Sequence, residues 1–79
     1  MSAELANLRI KKIKNDWEPK LLALPGVVGV GISETIDKGG RRQPCIRIYV
    51  EKRDDETLQH LPEEIEGFLT DIKEVVAPH

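Results

Sequence analysis

Sulfur, aromatic rings and imidazoles are all scarce in this chain. Cys45 is the single cysteine, so neither an internal disulfide framework nor a multi-thiolate metal site can be built. Trp17, Tyr49 and Phe68 are the whole aromatic supply, too little for the stacking platforms that hold single-stranded nucleic acid. Core burial therefore falls to Leu, Ile and Val. His60 and His79 are the only imidazoles. A structural metal site wants four ligands at workable spacing, and His60 with Glu63 and Glu64 makes no such set. No apolar run approaches the ~20 residues of a membrane span, and the N-terminal residues lack the apolar stretch of a secretory signal. The expectation is a soluble, cytoplasmic protein with no cofactor, no metal and no membrane association.

What is present is a chain of 79 residues, 33% of them charged, with a net charge of -2. That length holds one domain, spanning residues 1–79, and buries only about 60% of the unfolded surface. Two packed layers, helices on a small sheet, are the natural arrangement. Charge is distributed unevenly. Residues 54–74 carry eight acids against Lys73 alone, while Arg9, Lys11, Lys12, Lys14 and Lys20 make the first twenty residues lean basic. Solvated faces account for both biases most simply.

Residues 1–24 read as a helical segment. Leu5, Leu8, Ile10, Ile13 and Trp17 recur near helical spacing, with Ser2 as an N-cap. Proline is accepted in a first helical turn but not in a helix interior. Pro19 therefore suggests a second short helix over 17–23 capped by Asp16, or else one long helix kinked at the proline. Pro25-Gly26 closes the helical part, and residues 26–76 form the sheet. Val28, Val30 and Ile32 are expected to point one way and Val27, Gly29, Gly31 and Ser33 the other. Two glycines on one strand face mark a bulge or a close approach by another group; a small-molecule contact to the backbone there is the sharper alternative. Lys38-Gly39-Gly40 reads as a hairpin tip. The strand after it has a clean alternation, with Ile46, Ile48 and Val50 inward and Arg47, Tyr49 and Glu51 outward. Asp54 or Asp55 caps a short helical segment, and residues 62–67 read as a single turn opened by proline and closed by glycine. A third strand fills 68–76, in either of two registers. The fold class is α+β: a two-layer, three-stranded sheet with helices on one face, ordered ααββαβ, ferredoxin-like but lacking the first strand.

Three motifs in order carry a family resemblance. Leu21-Leu22-Ala23-Leu24-Pro25-Gly26-Val27-Val28-Gly29-Val30-Gly31-Ile32 is followed by Ile46-Arg47-Ile48-Tyr49-Val50-Glu51-Lys52. Leu61-Pro62-Glu63-Glu64-Ile65-Glu66-Gly67 with Thr70-Asp71-Ile72 completes the set. Together they resemble the small N-terminal domain that precedes the peptidase domain in trypsin-like serine peptidase-related proteins. The likeness covers residues 21–76 and implies an accessory module; no peptidase segment follows here, so it carries no catalytic triad into this chain. A helix ending in Leu-Pro-Gly-Val before a hairpin is also similar to heavy-metal-binding ferredoxin-like domains, but their paired-cysteine loop has no counterpart.

Candidate chemistry is sparse. Cys45 lies near Arg42 and Arg47, whose charges could lower a thiol pKa, yet a nucleophile also needs a base and no histidine is close in sequence. Lys38, Arg41, Arg42, Lys52 and Arg53 could form a basic patch around the hairpin, against an acidic chain overall. The function expected is a non-catalytic protein-interaction or accessory module. Its partner is another protein, or a second copy joined through a sheet edge; nucleic acid is disfavoured. Gly29, Gly31, Arg47 and Tyr49 are the expected partner-binding residues. The alternatives are a peptidase propeptide-like inhibitor acting through residues 75–79, and a small-ligand-sensing domain.

Overall fold

Ile46, Ile48 and Val50 have no solvent exposure, and the molecule is arranged around the strand that carries them. The computed structural model describes residues 3–75. In chain order it runs α1 (Ala3–Leu22), β1 (Val27–Ile36), β2 (Arg42–Val50), α2 (Asp55–Gln59), β3 (Glu64–Ile65) and β4 (Phe68–Glu74). The strands form one four-stranded sheet in the order β1-β2-β4-β3. β2 is antiparallel to β1 and parallel to β4, and β3 is antiparallel to β4. The protein is thus a small α+β domain with a mixed sheet, and the expected three strands become four.

The extra strand comes from residues expected to make a helical turn. Glu66 and Gly67 both have positive φ, 47° and 90°, which is the mirror-image turn that suits a two-residue hairpin. Gly67 adopts it freely because it has no Cβ. Pro62 does not open a helix; its carbonyl accepts the Thr70 hydroxyl at 2.6 Å, and the Thr70 N–H donates to the Glu63 carbonyl at 3.1 Å. These bonds lay the segment beside β4 and place Ile65 in the core at 1% exposure.

Of the two N-terminal readings, the second short helix is overturned: a single helix runs through Pro19. Pro19 lies inside α1, where its missing N–H and ring cost about 3 kcal/mol. Ile10, Ile13 and Leu21 are buried and Trp17 packs against them, so the stripe at i, i+3, i+7 and i+11 continues straight through the proline. A fully buried side chain of Leu size contributes roughly 1.5–3 kcal/mol; Leu21 is fully buried and Trp17 partly so, and together they offset the proline. Downstream, the Ala23 N–H still reaches the Pro19 carbonyl at 3.2 Å. Leu5 and Leu8, expected on the inner stripe, are exposed, because at about 100° per residue they fall on the side of the helix away from Ile10, Trp17 and Leu21. The expected Ser2 cap lies outside the described residues.

β1 carries a bulge between Val27 and Gly29. Val27 pairs with Val50 and Gly29 with Tyr49, so Val28 is the inserted residue. A bulge shifts the alternation by one position. Val27, expected on the side of Gly29 and Gly31, is instead buried with the core, Val30 packs beside it, and Val28 is 49% exposed. Ile32 stays exposed as well, although it pairs with the buried Ile46.

The β1–β2 hairpin turns through Asp37, whose carboxylate accepts the N–H groups of Gly39 and Arg41, each at 2.9 Å. Pro44 sits in β2 without harm. It pairs with Glu34 on β1, and pairing with β4 begins only at Ile46. No ladder bond therefore needs its missing N–H. Of the two candidate caps, Asp54 is the one that caps α2, accepting the Thr57 N–H at 2.8 Å. In β4, Phe68 and Ile72 pack on the core, which settles the register between the two alternatives and turns Leu69, Asp71 and Lys73 to the other face. The strand ends at Glu74; the expected end at 76 lies outside the described residues.

Candidate functional site

The core side chains Ile46, Ile48 and Val50 pack with Ile10, Ile13 and Leu21 of α1. Both layers therefore meet on one face of the sheet, and the odd-numbered positions of β2 look the other way. That second face brings together all four residues expected to bind a partner. Gly29 stands opposite Tyr49, and Gly31 opposite Arg47.

The two glycines have a physical reason in Tyr49. A Cβ on Gly29 would lie 3.4 Å from Tyr49 Cδ2, and one on Gly31 would lie 3.5 Å from Cε2. The phenol ring therefore lies along β1, over backbone that carries no side chain. A close approach was expected at these glycines; it is made by a neighbouring side chain, and a ligand reaching for the backbone would meet the ring first.

Arg47 is fixed from the opposite side. It pairs with Asp71 in the parallel β2–β4 ladder, and its Nε donates to Asp71 Oδ2 at 2.9 Å. That bond, chiefly, holds the guanidinium pKa above its already high value; burial opposes it and Tyr49 adds to it. Lys73 stands beside Tyr49 in the same ladder. The face thus presents the Tyr49 ring, the Arg47–Asp71 ion pair and Lys73 on neighbouring strands. Asp71 is the member that sequence reasoning missed. Its only signal was the charged phase of residues 69–73, and nothing in sequence spacing gives a parallel register across a crossover.

Other candidates separate. Cys45 has no solvent exposure. Burial first, then the Asp71 charge, pushes its thiol pKa up, with Arg47 opposing; the activated thiol considered from sequence is therefore reversed. The basic patch is divided, because Arg42 begins β2 and Lys52 and Arg53 follow its far end. At about 3.3 Å per residue the two groups stand roughly 26 Å apart along the strand. His60 is an exposed residue closing α2; His79 lies outside the described residues. Among the described residues no three His, Cys, Asp or Glu side chains converge in a way that could hold a metal ion. No helix among them is long and apolar enough to cross a membrane.

On the core side of the fold, ring contacts seal the edges. Lys20 lies over Trp17 at 5.0 Å and Arg9 over Phe68 at 5.8 Å. The Trp17 indole N–H donates to Glu66 Oε2 at 3.1 Å, tying α1 to the β3–β4 turn. An open groove of about 420 Å³ lies beside Trp17, Leu24, His60 and Pro62, and another of about 500 Å³ between Asn7, Ile32, Glu34 and Pro44. Neither is lined by the glycine–tyrosine face.

Comparison with known proteins returned no matching family model, no matching curated protein and no matching solved structure.

Proposed function

We propose that this protein is a non-catalytic interaction module whose working surface is the helix-free sheet face carrying Gly29, Gly31, Arg47 and Tyr49. The observation that carries this reading is the Tyr49 ring laid over two glycines beside the Arg47–Asp71 pair. Aromatic and arginine side chains dominate the energetics of protein interfaces. Here both are held in place before any partner arrives, which lowers the ordering cost of association. The partner is a protein, engaged in the cytoplasm.

The resemblance to the small domain preceding the peptidase domain in trypsin-like serine peptidase-related proteins supports an accessory role, through three motifs in order. A kinship with ferredoxin-like folds lacking their first strand rests on the order helix, strand, strand, helix, strand, with β3 as an extra strand inserted before the last one; the parallel pairing of β2 with β4 is this chain's own feature.

The test compares proteins retained from the source cell's extract by the tagged chain and by an Arg47→Glu/Tyr49→Ala variant of matched fold. Specific proteins lost from the variant, and rebinding when purified, are the expected result. Retention of the same set by both forms would overturn the proposal.

A further inference from the structure

β1 is an outer strand of the sheet, and its free edge has a symmetry of its own. The Asp37 N–H donates to the Arg41 carbonyl at 2.9 Å, so Asp37 faces β2. In an antiparallel ladder the inward-facing residues alternate. The N–H and C=O groups of Val30, Ile32, Glu34 and Ile36 therefore point outward, away from β2. Pro44 agrees with this phase, since it pairs with Glu34 and has no N–H to offer.

Exposed apolar residues on β1 fall at Val28, Ile32 and Ile36, at 49%, 42% and 66% exposure. They are spaced evenly about Ile32. An antiparallel copy of the same strand related by a two-fold axis at Ile32 sets Ile32 against itself and Val30 against Glu34, and brings Ile36 to the bulge at Val28 of the other copy. The exposed apolar residues of the two edges are then gathered along one seam. The single charge on the strand, Glu34, restricts the alternatives: a register two residues further along would set Glu34 directly against its own copy, and like charges directly opposite are destabilising. Edges that avoid association carry lysine, proline or inward-pointing charges, and β1 carries neither proline nor lysine.

We infer that this chain forms a two-fold symmetric dimer by antiparallel pairing of β1 with β1 of a second copy, centred on Ile32, joining two four-stranded sheets into one. This rests on the reading of the protein as an interaction module and names a partner for the edge beside its glycine–tyrosine face. About six backbone hydrogen bonds close across the axis. One strand per side is less than the roughly 800 Å² per partner of a standard interface, so the dimer is reversible and depends on concentration. It also carries Tyr49 and Arg47 of both copies onto one extended face.

Sedimentation over a concentration series is expected to show mass rising from 8.9 kDa towards twice that value. Ile32→Lys places two ammonium groups at the axis and should raise the dissociation constant more than about tenfold, with an unchanged circular dichroism spectrum because Ile32 lies outside the core. Ile32→Cys should oxidise to a covalent dimer, since directly paired antiparallel residues stand about 5.5 Å apart, within disulfide range. Ile36→Cys alone should not, and wild type controls for Cys45. A chain that stays at 8.9 kDa, or a dimer indifferent to Ile32→Lys, would overturn the inference. If a monomer still retains partners through Arg47 and Tyr49, the edge pairing fails while the interaction module stands.

Discussion

Gly26 and Thr57 meet across the junction of the two layers: a Cβ on Gly26 would stand 3.0 Å from Thr57 Oγ1 and 3.3 Å from its Cγ2. Gly26 also has φ of 83°, and its carbonyl accepts the Glu51 N–H at 2.9 Å. The end of α1, the end of β2 and the start of α2 are thereby closed at one point. Gly26→Ala should destabilise the fold by about 1–3 kcal/mol, from backbone strain and from displacement of Thr57. Urea unfolding of Gly26→Ala, Thr57→Ala and the double variant checks this. The double variant should recover the contact part of the loss and not the strain, so the two single effects will not add.

Two isoleucines on neighbouring strands should behave oppositely. Ile48 has no exposure and Ile36 is 66% exposed. Ile48→Ala leaves a cavity beneath α1 and should cost about 2–5 kcal/mol, a large part of what a domain this small has. Ile36→Ala should stay within about 0.5 kcal/mol. Denaturant midpoints of the two variants, measured at one low concentration to exclude self-association, make the comparison.

The hairpin tip should loosen in acid. Asp37 is held below its ordinary pKa first by the Arg41 N–H, with Gly39 and Gln43 assisting and burial opposing. A carboxylate whose folded pKa is depressed adds stability above its unfolded value and loses it as pH falls through the folded value. The Gly39 and Arg41 amide resonances should therefore titrate together, with a midpoint below the ordinary aspartate pKa. Asp37→Asn should abolish that titration. Nuclear magnetic resonance across the acid range reads both. Asp54, depressed chiefly by the Thr57 N–H, should show the same sign at the start of α2.

Cys45 should be inert while the fold is intact. Its thiol is buried and its pKa is raised, so both access and thiolate fraction work against reaction. Aromatic disulfide reagents at mildly alkaline pH should modify native protein at least about tenfold more slowly than protein in guanidinium, with the native rate set by opening of the sheet. Equal rates would show that β2 is accessible in the folded state.

The parts legible in the sequence are those decided by neighbours in sequence. Ile46, Ile48 and Val50 alternate with polar residues, and the structure buries all three. Asp54, one of the two aspartates expected as a cap, stands three residues before Thr57 and accepts its N–H. Gly29, Gly31, Arg47 and Tyr49 share a face because period-two geometry puts them there. What was not legible depends on distant contacts. Pro19 reads as a helix break until the unbroken stripe through Trp17 and Leu21 is seen packed on the sheet. The bulge at Val28 displaces the start of β1; the glycine pair signals a bulge or a close approach, but not at which residue the insertion falls. Glu66 reads poorly for a positive φ, yet Gly67 and the Trp17 bond to its carboxylate accompany it there. Asp71 finds Arg47 only because β4 returns parallel to β2.

That parallel return has a consequence for the order in which the chain is made. Synthesis runs from the N-terminus, so α1 and both arms of the β1–β2 hairpin emerge well before residues 68–74. Until those arrive, β2 has a bare edge along its most apolar stretch, 45–50, the kind of segment that pairs with other chains when left open. Arg47 sits in the middle of it. Before Asp71 arrives, the guanidinium has no carboxylate beside it in this ladder. A charge in the middle of an apolar strand is the kind of interruption that opposes pairing with other chains, so the half-built sheet is bare along β2 but not uniformly apolar.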